Sequence, residues 1–213
     1  MSRPSQNLDL KLVAAARAMV PAAGFSGLSV REVARRAGVN VGMFHYHFKT
    51  REVFVRRVMD EVYEDFFKTF VEAAEGSGGA RARLRRVLVA FARFARENRV
   101  LYTLLLRELL NSQPDILAFA KEKFPRHAGV LIGLLSECRK EGVVRPLPVP
   151  SLAMFSMSTM GLPNIVVTAF EANKIKTIAG TPLREFSETL LSDEMIETRA
   201  DMVLAALAPG RGK

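Results

Sequence analysis

Polar side chains of several kinds are concentrated in one short segment near the N-terminus. Residues 40–50 include an amide, two imidazoles, a phenol, an ammonium group and a hydroxyl, and no acid. Such groups can hydrogen-bond to base edges in the major groove of DNA and to its phosphates. The mixture predicts base contacts for Asn40, Met43 and Tyr46 and phosphate contacts for Lys49 and Thr50. The full predicted DNA-contacting set is Ser29, Arg31, Asn40, Val41, Gly42, Met43, His45, Tyr46, Lys49 and Thr50.

Helix signals position this segment. Ser29 and Glu32 have the spacing of a capping box, in which the Ser side chain accepts from a backbone N–H and the Glu side chain reaches back to the cap. Gly38 can take the left-handed conformation that ends a helix, and Asn40 is a good cap for the next one. Two short helices joined by residues 37–39 are therefore expected, as in a helix-turn-helix whose second helix reads the DNA.

The second short helix is expected to have a buried and an outward face. Phe44 and Phe48, four residues apart, share one face and bury against the preceding helices, and Gly42 allows close helix approach. His45 and His47 are two residues apart and so point in different directions. Because neither has Cys or acidic partners at ligand spacing, we predict no metal site here.

Charge is unevenly distributed along the chain. The 213 residues carry a formal net charge of +9, which favours a polyanionic partner. Within the first fifty residues, seven Lys and Arg side chains stand against only Asp9 and Glu32. One of the seven, Arg3, belongs either to a disordered terminus, which we favour, or to an arm that reaches the minor groove.

Composition narrows the class of protein. The chain is 49% hydrophobic and 25% charged, as in globular proteins. A lone cysteine, Cys138, excludes an intramolecular disulfide and any Cys-based metal cluster, and no signal peptide is evident, so a cytoplasmic location is expected. The sequence has no nucleophile elbow, phosphate-binding loop or zinc motif, so we predict neither an enzyme nor a cofactor.

Helical periodicity dominates the chain, and no convincing alternating strand pattern appears. The sequence therefore predicts an all-α fold of about nine helices, with a helix-turn-helix domain over residues 1–50 and a ligand-binding and dimerisation domain over residues 51–213. The predicted helices cover residues 8–21, 29–37, 40–47, 50–74, 80–98, 100–110, 116–140, 151–173 and 184–207.

The N-terminal segment resembles the signature of the TetR family of bacterial regulators over about residues 8–54. The resemblance implies a homodimer that binds a pseudo-palindromic operator and a small apolar or amphipathic effector. A repressor that the effector releases is the mode that we favour, and an activator or a regulator without a ligand would have the same sequence features. His45 stands where family members usually carry a Tyr that meets the DNA backbone. The matching residues are Gly24-Phe25, Leu28-Ser29, Val33-Ala34, Ala37-Gly38-Val39-Asn40, Gly42 and Phe44-His45-Tyr46-His47-Phe48-Lys49.

The later helices carry more apolar surface than a small head can cover. A bundle of long helices often leaves a cavity with a few polar groups in it, although a Met and aromatic stripe also suits an ordinary core. We predict an effector site formed by Phe94, Tyr102, Arg107, Phe119, His127, Met154 and Met157. The resemblance implies dimerisation through the helix of residues 151–170 and the last helix, whose candidate residues are Phe186, Leu190, Met195, Ile196, Val203 and Leu207.

Residues 146–170 carry no charge and are numerous enough to cross a membrane. Polar residues in the middle of this stretch, including Ser156 and Asn164, favour a helix of a soluble bundle instead. A helical binding or membrane-associated protein with a basic head is therefore the alternative function.

Overall fold

In the computed structural model, residues 7–25 and 27–210 are described, and Arg3 lies outside them. Within these residues the chain forms ten α-helices and one short hairpin. The helices are α1 (Leu8–Ala23), α2 (Val30–Ala37), α3 (Val41–Phe48), α4 (Arg51–Glu75), α5 (Ala80–Glu97), α6 (Arg99–Leu110), α7 (Pro114–Lys140), α8 (Val149–Ala172), α9 (Leu183–Leu190) and α10 (Asp193–Leu207). The hairpin pairs β1 (Thr177–Ile178) with β2 (Thr181–Pro182) in antiparallel register.

The predicted all-α class is confirmed, but the prediction of one long last helix was wrong. That helix is interrupted at Leu191 and Ser192, so α9 and α10 are separate. The Ser192 hydroxyl accepts a hydrogen bond from the Met195 N–H at 3.1 Å and so begins α10 as its N-cap. Apolar residues continue at helical spacing across the interruption, which is why periodicity alone did not reveal it.

The chain forms two compact units. The first unit runs up to Asp65 and also takes in Leu104–Ala120, and the second comprises Phe66–Thr103 and the chain from Lys121 onward. In the first unit α1, α2 and α3 pack together, and Phe44 and Phe48 of α3 are buried. Their ring centroids lie 4.9 and 4.8 Å from that of Phe54 on α4. These aromatic contacts join α3 to the start of α4.

The core of the second unit lies where α5 packs against α8 and α10. Ile196, Val203 and Leu207 of α10 are buried within the chain itself, so the prediction that they present a dimer surface was wrong. They occupy the face of α10 that covers α5. The large apolar side chain that α10 exposes is Met202, at 63% of its surface.

Arginines of α5 face carboxylates of α10 in the same unit. Arg85 makes a bidentate pair with Asp201 at 2.6 and 2.9 Å, and Arg93 pairs with Asp193 and Glu197 at 3.0 Å each. These arginines account for part of the basic character of α5. They hold α5 and α10 together through charge-assisted hydrogen bonds to acidic side chains.

Helix α8 contains the long uncharged stretch. Of the described residues, only this helix is long and apolar enough to cross a membrane, and 39% of its most apolar window is buried. Ser156 and Asn164 are fully buried on the side that packs against α5 and α10. A core helix of a soluble bundle has the same length and composition, so α8 has a structural explanation that needs no membrane.

Candidate DNA-binding site and effector region

Helix α2 begins where the sequence predicts, but not through the predicted hydrogen bonds. Ser29 is its N-cap with extended backbone, φ −91° and ψ 125°, and makes no side-chain capping bond to any described residue. Glu32 instead accepts a hydrogen bond from Arg35 Nε at 2.9 Å. That bond lowers the pKa of the Glu32 carboxyl. The predicted capping box was therefore wrong in its contacts, because an arginine three residues away competes for the glutamate.

The turn between α2 and α3 is closed by Gly38. Its φ of 65° and ψ of 32° are left-handed, which glycine adopts without a steric penalty. The Gly38 N–H donates to Arg35 O at 3.2 Å, and the Val39 N–H donates to Ala34 O at 2.9 Å. This pair of bonds is the Schellman motif, so the predicted helix stop is confirmed.

Asn40 begins α3. Its Oδ1 accepts a hydrogen bond from the Gly42 N–H at 2.7 Å, as expected of an N-cap. A Cβ at Gly42 would lie 3.2 Å from the same oxygen, so glycine leaves room for this cap. The prediction that Gly42 allows another helix to approach closely was wrong, because the atom that a Cβ would meet belongs to the Asn40 cap. With Oδ1 engaged, Asn40 has its amide N–H groups to offer to another molecule.

The side chains of α3 divide between a buried and an exposed face. Phe44 is 0% exposed, whereas Tyr46 is 75% exposed. Met43 and His47 are half-buried. The remaining members of the predicted contact set are exposed, namely Ser29, Arg31, Asn40, Val41, Gly42, His45, Lys49 and Thr50.

The two histidines of α3 have different surroundings. His45 is exposed, and its Nδ1 lies 3.4 Å from Lys49 O at the end of the helix. His47 Nε2 is buried and has no hydrogen-bond partner among the described residues. The same part of the chain contains no group of three His, Cys, Asp or Glu side chains that could hold a metal ion.

A strained turn connects α3 to α4. Lys49 has φ 59° and ψ −57°, and the Thr50 N–H donates to Phe48 O at 2.6 Å. These values describe a γ-turn with positive φ, a rare and strained conformation. Thr50 then begins α4, since its Oγ1 accepts from the Val53 N–H at 3.3 Å. Sequence reasoning missed the turn, because Lys49 is not a residue that signals positive φ.

Three residues of the predicted effector set belong to one aromatic cluster in the second unit. Phe66 lies 4.8 Å from Phe94 and 5.5 Å from His127, measured between ring centroids. The Phe91 ring lies 6.1 Å from that of Tyr102. Burial lowers the pKa of His127 to about 4 and raises the pKa of Tyr102. Both side chains are therefore neutral near pH 7 in largely apolar surroundings.

The other four residues of that set lie elsewhere. Phe119 belongs to the first unit, where it is buried against the Tyr63 ring at 5.9 Å, and Arg107 is exposed in the same unit. In the second unit Met154 is 72% exposed, and Met157 is half-buried.

Comparison with known proteins identifies the N-terminal region. Residues 12–58 match the family described as "Bacterial regulatory proteins, tetR family", and this range contains α2, the turn and α3. The chain is also 24% identical over 155 residues to the "Probable HTH-type transcriptional regulator YttP" of Bacillus subtilis, which covers 72% of this chain and 75% of that protein. The helix-turn-helix region of the chain is therefore similar to that of the TetR family.

Solved structures of transcriptional regulators are similar to this chain in fold. FadR of Bacillus subtilis, in complex with stearoyl-CoA, has a TM-score of 0.69 at 18% identity and covers 95% of this chain and 99% of its own. The ketosteroid regulator KstR2 of Mycobacterium tuberculosis has a TM-score of 0.68 at 18% identity and covers 96% of each chain. These likenesses show the fold. The predicted resemblance to the TetR family is confirmed by the match over residues 12–58 and by the curated relative, and it identifies a transcriptional regulator with a helix-turn-helix.

Proposed function

We propose that the protein is a homodimeric repressor that binds a pseudo-palindromic operator and leaves it when an amphipathic effector binds. The outward face of α3 is the observation that carries this proposal. It offers amide, phenol, imidazole and thioether groups without any acid, on a helix anchored through Phe44 and Phe48. A two-fold dimer would present two such helices about one DNA turn apart or a multiple of it.

Roles on α3 divide between bases and phosphates. Asn40 has its Oδ1 engaged by the Gly42 N–H, so it acts as a donor toward a base acceptor such as a purine N7 or a guanine O6. Tyr46 and Met43 read neighbouring bases, and Lys49 binds a phosphate. Ser29, Arg31, His45 and Thr50 supply further backbone contacts, while Val41 and Gly42 approach the groove.

The dimer is proposed to form through the exposed apolar faces of α8 and α10. Met154, Phe155 and Leu162 of α8 are each at least 44% exposed, and α10 adds Met202. A groove of about 340 Å³ lies on the same unit and is lined by Ser158, Thr159, Leu162, Pro163, Val166 and Leu190. Because α8 carries no charge before Glu171, two positively charged chains can meet there without repulsion. Met154 accordingly moves from the predicted effector set to this interface.

The effector is proposed to bind in the second unit, beside Phe94, Tyr102 and His127, with Met157 as a further candidate. Neutral polar groups within an aromatic cluster suit a ligand with an apolar body and a hydrogen-bonding end. The related FadR structure contains stearoyl-CoA, which has this character. Arg107 and Phe119, which belong to the first unit, are second-choice candidates.

Selection from a pool of random duplexes tests the proposal. A pseudo-palindrome whose affinity falls steeply with salt is expected, and palmitoyl-CoA should then weaken its binding while free coenzyme A should not. Coupling is reciprocal, so a tenfold loss of operator affinity requires a tenfold loss of palmitoyl-CoA affinity on the operator, about 1.4 kcal/mol each way. Recovery of no preferred sequence, together with binding to anionic vesicles, would favour the membrane alternative.

A further inference from the structure

Residues on both sides of position 26, in the loop between α1 and α2, are held in place. Gly24 ends α1 with a φ of +71°, and its N–H donates to Val20 O at 2.8 Å. Phe25 and Leu28 are buried, so both ends of the loop are anchored by apolar side chains. A Cβ at Gly27 would lie 2.2 Å from Ala23 O, and only glycine can therefore follow this path without a shift.

Arg51, the first residue of α4, is bound to this loop. Its Nε donates to Leu28 O at 2.9 Å, and its Nη2 donates to Phe25 O at 3.0 Å. The planar guanidinium holds both donors in a fixed geometry that a lysine ammonium cannot reproduce. Two charge-assisted hydrogen bonds thus connect the start of α4 to the loop that precedes the helix-turn-helix.

The strained turn at Lys49 lies next to this connection. A rare backbone conformation persists only when its surroundings determine it strongly. On the α3 side, Phe48 packs against Phe54 at 4.8 Å. On the α4 side, Arg51 is held by the loop through its two hydrogen bonds. The direction of α3 relative to α4 therefore depends on both anchors.

Arg51 is half-buried in the first unit. Its side chain lines a cavity of about 140 Å³ together with Phe25, Val55, Gln113, Asp115 and Ile116. Both of its carbonyl partners belong to residues with buried side chains. An acidic neighbour and a guanidinium already bound to two backbone carbonyls are poor surroundings for a DNA phosphate.

We infer that Arg51 is a positioning residue for operator recognition: its guanidinium binds the backbone carbonyls of Phe25 and Leu28 and thereby sets the orientation of α3 without contacting DNA. The inference rests on the proposed operator binding. It differs from a phosphate contact in one measurable respect, because a lost phosphate contact lowers the dependence of affinity on salt and a lost orientation does not.

Arg51→Lys keeps the positive charge but removes the planar guanidinium with its two fixed donors. It therefore distinguishes a positioning role from a phosphate contact. We expect about tenfold weaker binding to the selected duplex, since one or two charge-assisted bonds are lost, and less than about twofold change on a scrambled duplex at the same salt. The slope of log affinity against log salt should stay at the wild-type value. Arg57→Lys on the exposed side of α4, where Arg57 pairs with Glu61 at 2.8 Å, is the matched control and should change neither affinity.

Two further variants define the contrary outcomes. Lys49→Ala should reduce the salt slope by about 1.8, because the proposed dimer loses two phosphate contacts of about 0.9 each. If Arg51→Met reduces the slope in the same way, or if Arg51→Lys binds the selected duplex as tightly as wild type, the inference is wrong. An equal loss on both duplexes would also overturn it, because that would mean damage to the fold.

Gly27→Ala displaces the loop from its other side and should reproduce the effect of Arg51→Lys at an unchanged salt slope. Circular dichroism checks that this variant is folded. If it is folded and binds the selected duplex normally, the loop does not orient α3 and the inference is overturned. Failure of wild-type protein to select any duplex would instead refute the proposed function, so the two failures are distinguishable.

Discussion

The two units of the molecule differ in how far apart in the sequence their interacting residues lie. In the first, α2 and α3 have eight residues each, and their ends are defined by caps and a turn within a few residues. In the second, longer helices, such as α5 with 18 residues, are joined by pairs such as Arg85 and Asp201, which lie 116 positions apart. Changes in the first unit should therefore affect DNA reading, and changes in the second should affect bundle stability and effector response.

Phe44→Ala should give the largest effect and tests whether the first unit depends on its small aromatic core. Phe44 is fully buried, with Phe48 and Phe54 rings at 5.5 and 4.9 Å. Truncating such a side chain costs about 3–5 kcal/mol, so we expect operator binding to be lost. Urea unfolding and binding to the selected duplex measure this. Val41→Ala on the exposed face is the stability control and should change the free energy of unfolding by less than about 0.5 kcal/mol.

His127 should make the second unit sensitive to acid. Burial holds its pKa at about 4 in the folded protein, against 6.5 ordinarily. Between about pH 6.5 and pH 4, the unfolded chain therefore binds a proton at His127 that the folded protein does not bind. The free energy of unfolding is at its full value above about pH 6.5 and falls by up to about 3 kcal/mol as the pH drops toward 4. Urea unfolding at pH 7 and pH 4.5 measures the loss.

His127→Gln is the matched variant for this prediction. Its stability should fall less between the two pH values, whatever its stability at pH 7. The carboxyls of Asp193 and Asp201, whose pKa values neighbouring arginines lower, also destabilise the protein in acid, but they are common to both proteins and cancel in the difference. Parallel curves for wild type and variant would contradict the prediction.

Tyr46→Ala tests the reading face of the first unit without disturbing its core. The side chain is 75% exposed, so the free energy of unfolding should stay within about 0.5 kcal/mol of wild type. Loss of one base contact costs about 1–3 kcal/mol, which predicts about tenfold or greater weakening on the selected duplex. Tyr46→Phe shows how much of this loss of affinity is due to the hydroxyl group. Leu110→Ala removes a similarly exposed side chain outside the helix-turn-helix and should leave DNA affinity unchanged.

Gly161 and Tyr102 test how closely the second unit is packed. A Cβ at Gly161 would lie 2.8 Å from Tyr102 Oη and 3.3 Å from the Phe91 ring. Gly161→Ala should therefore destabilise the protein by about 1–3 kcal/mol despite the better helix propensity of alanine. Adding Tyr102→Phe removes the hydroxyl and should recover part of the loss in a double-mutant cycle. Additive effects of the two substitutions would show that the contact is not responsible.

The range of interactions also explains which features were predictable. Gly38 and Asn40 act on neighbouring backbone groups, and both were identified correctly. The bond between Arg35 and Glu32 is equally local, but it competes with the capping box for the glutamate side chain. The spacing of Ser29 and Glu32 alone does not show which of the two partners Glu32 binds. The pairing of α5 with α10, and the binding of Arg51 to the loop before α2, join distant positions and leave no periodic signal. The site residues themselves remain predictions.

Ala179→Asn should give the smallest effect, at a turn of the second unit that is as local as those of the first. Ala179 and Gly180 connect β1 to β2 with φ values of 48° and 85°. Two-residue hairpin turns with positive φ at both positions favour Asn-Gly, because Asn tolerates the left-handed region better than Ala does. We therefore expect stabilisation by a few tenths of a kcal/mol and up to about 1 kcal/mol, measured by urea unfolding. Ala179→Val, whose branched side chain resists positive φ, should destabilise the protein by a similar amount. If neither substitution changes the free energy of unfolding, the hairpin contributes nothing to the stability of its unit, and local turn geometry matters only in the DNA-reading region.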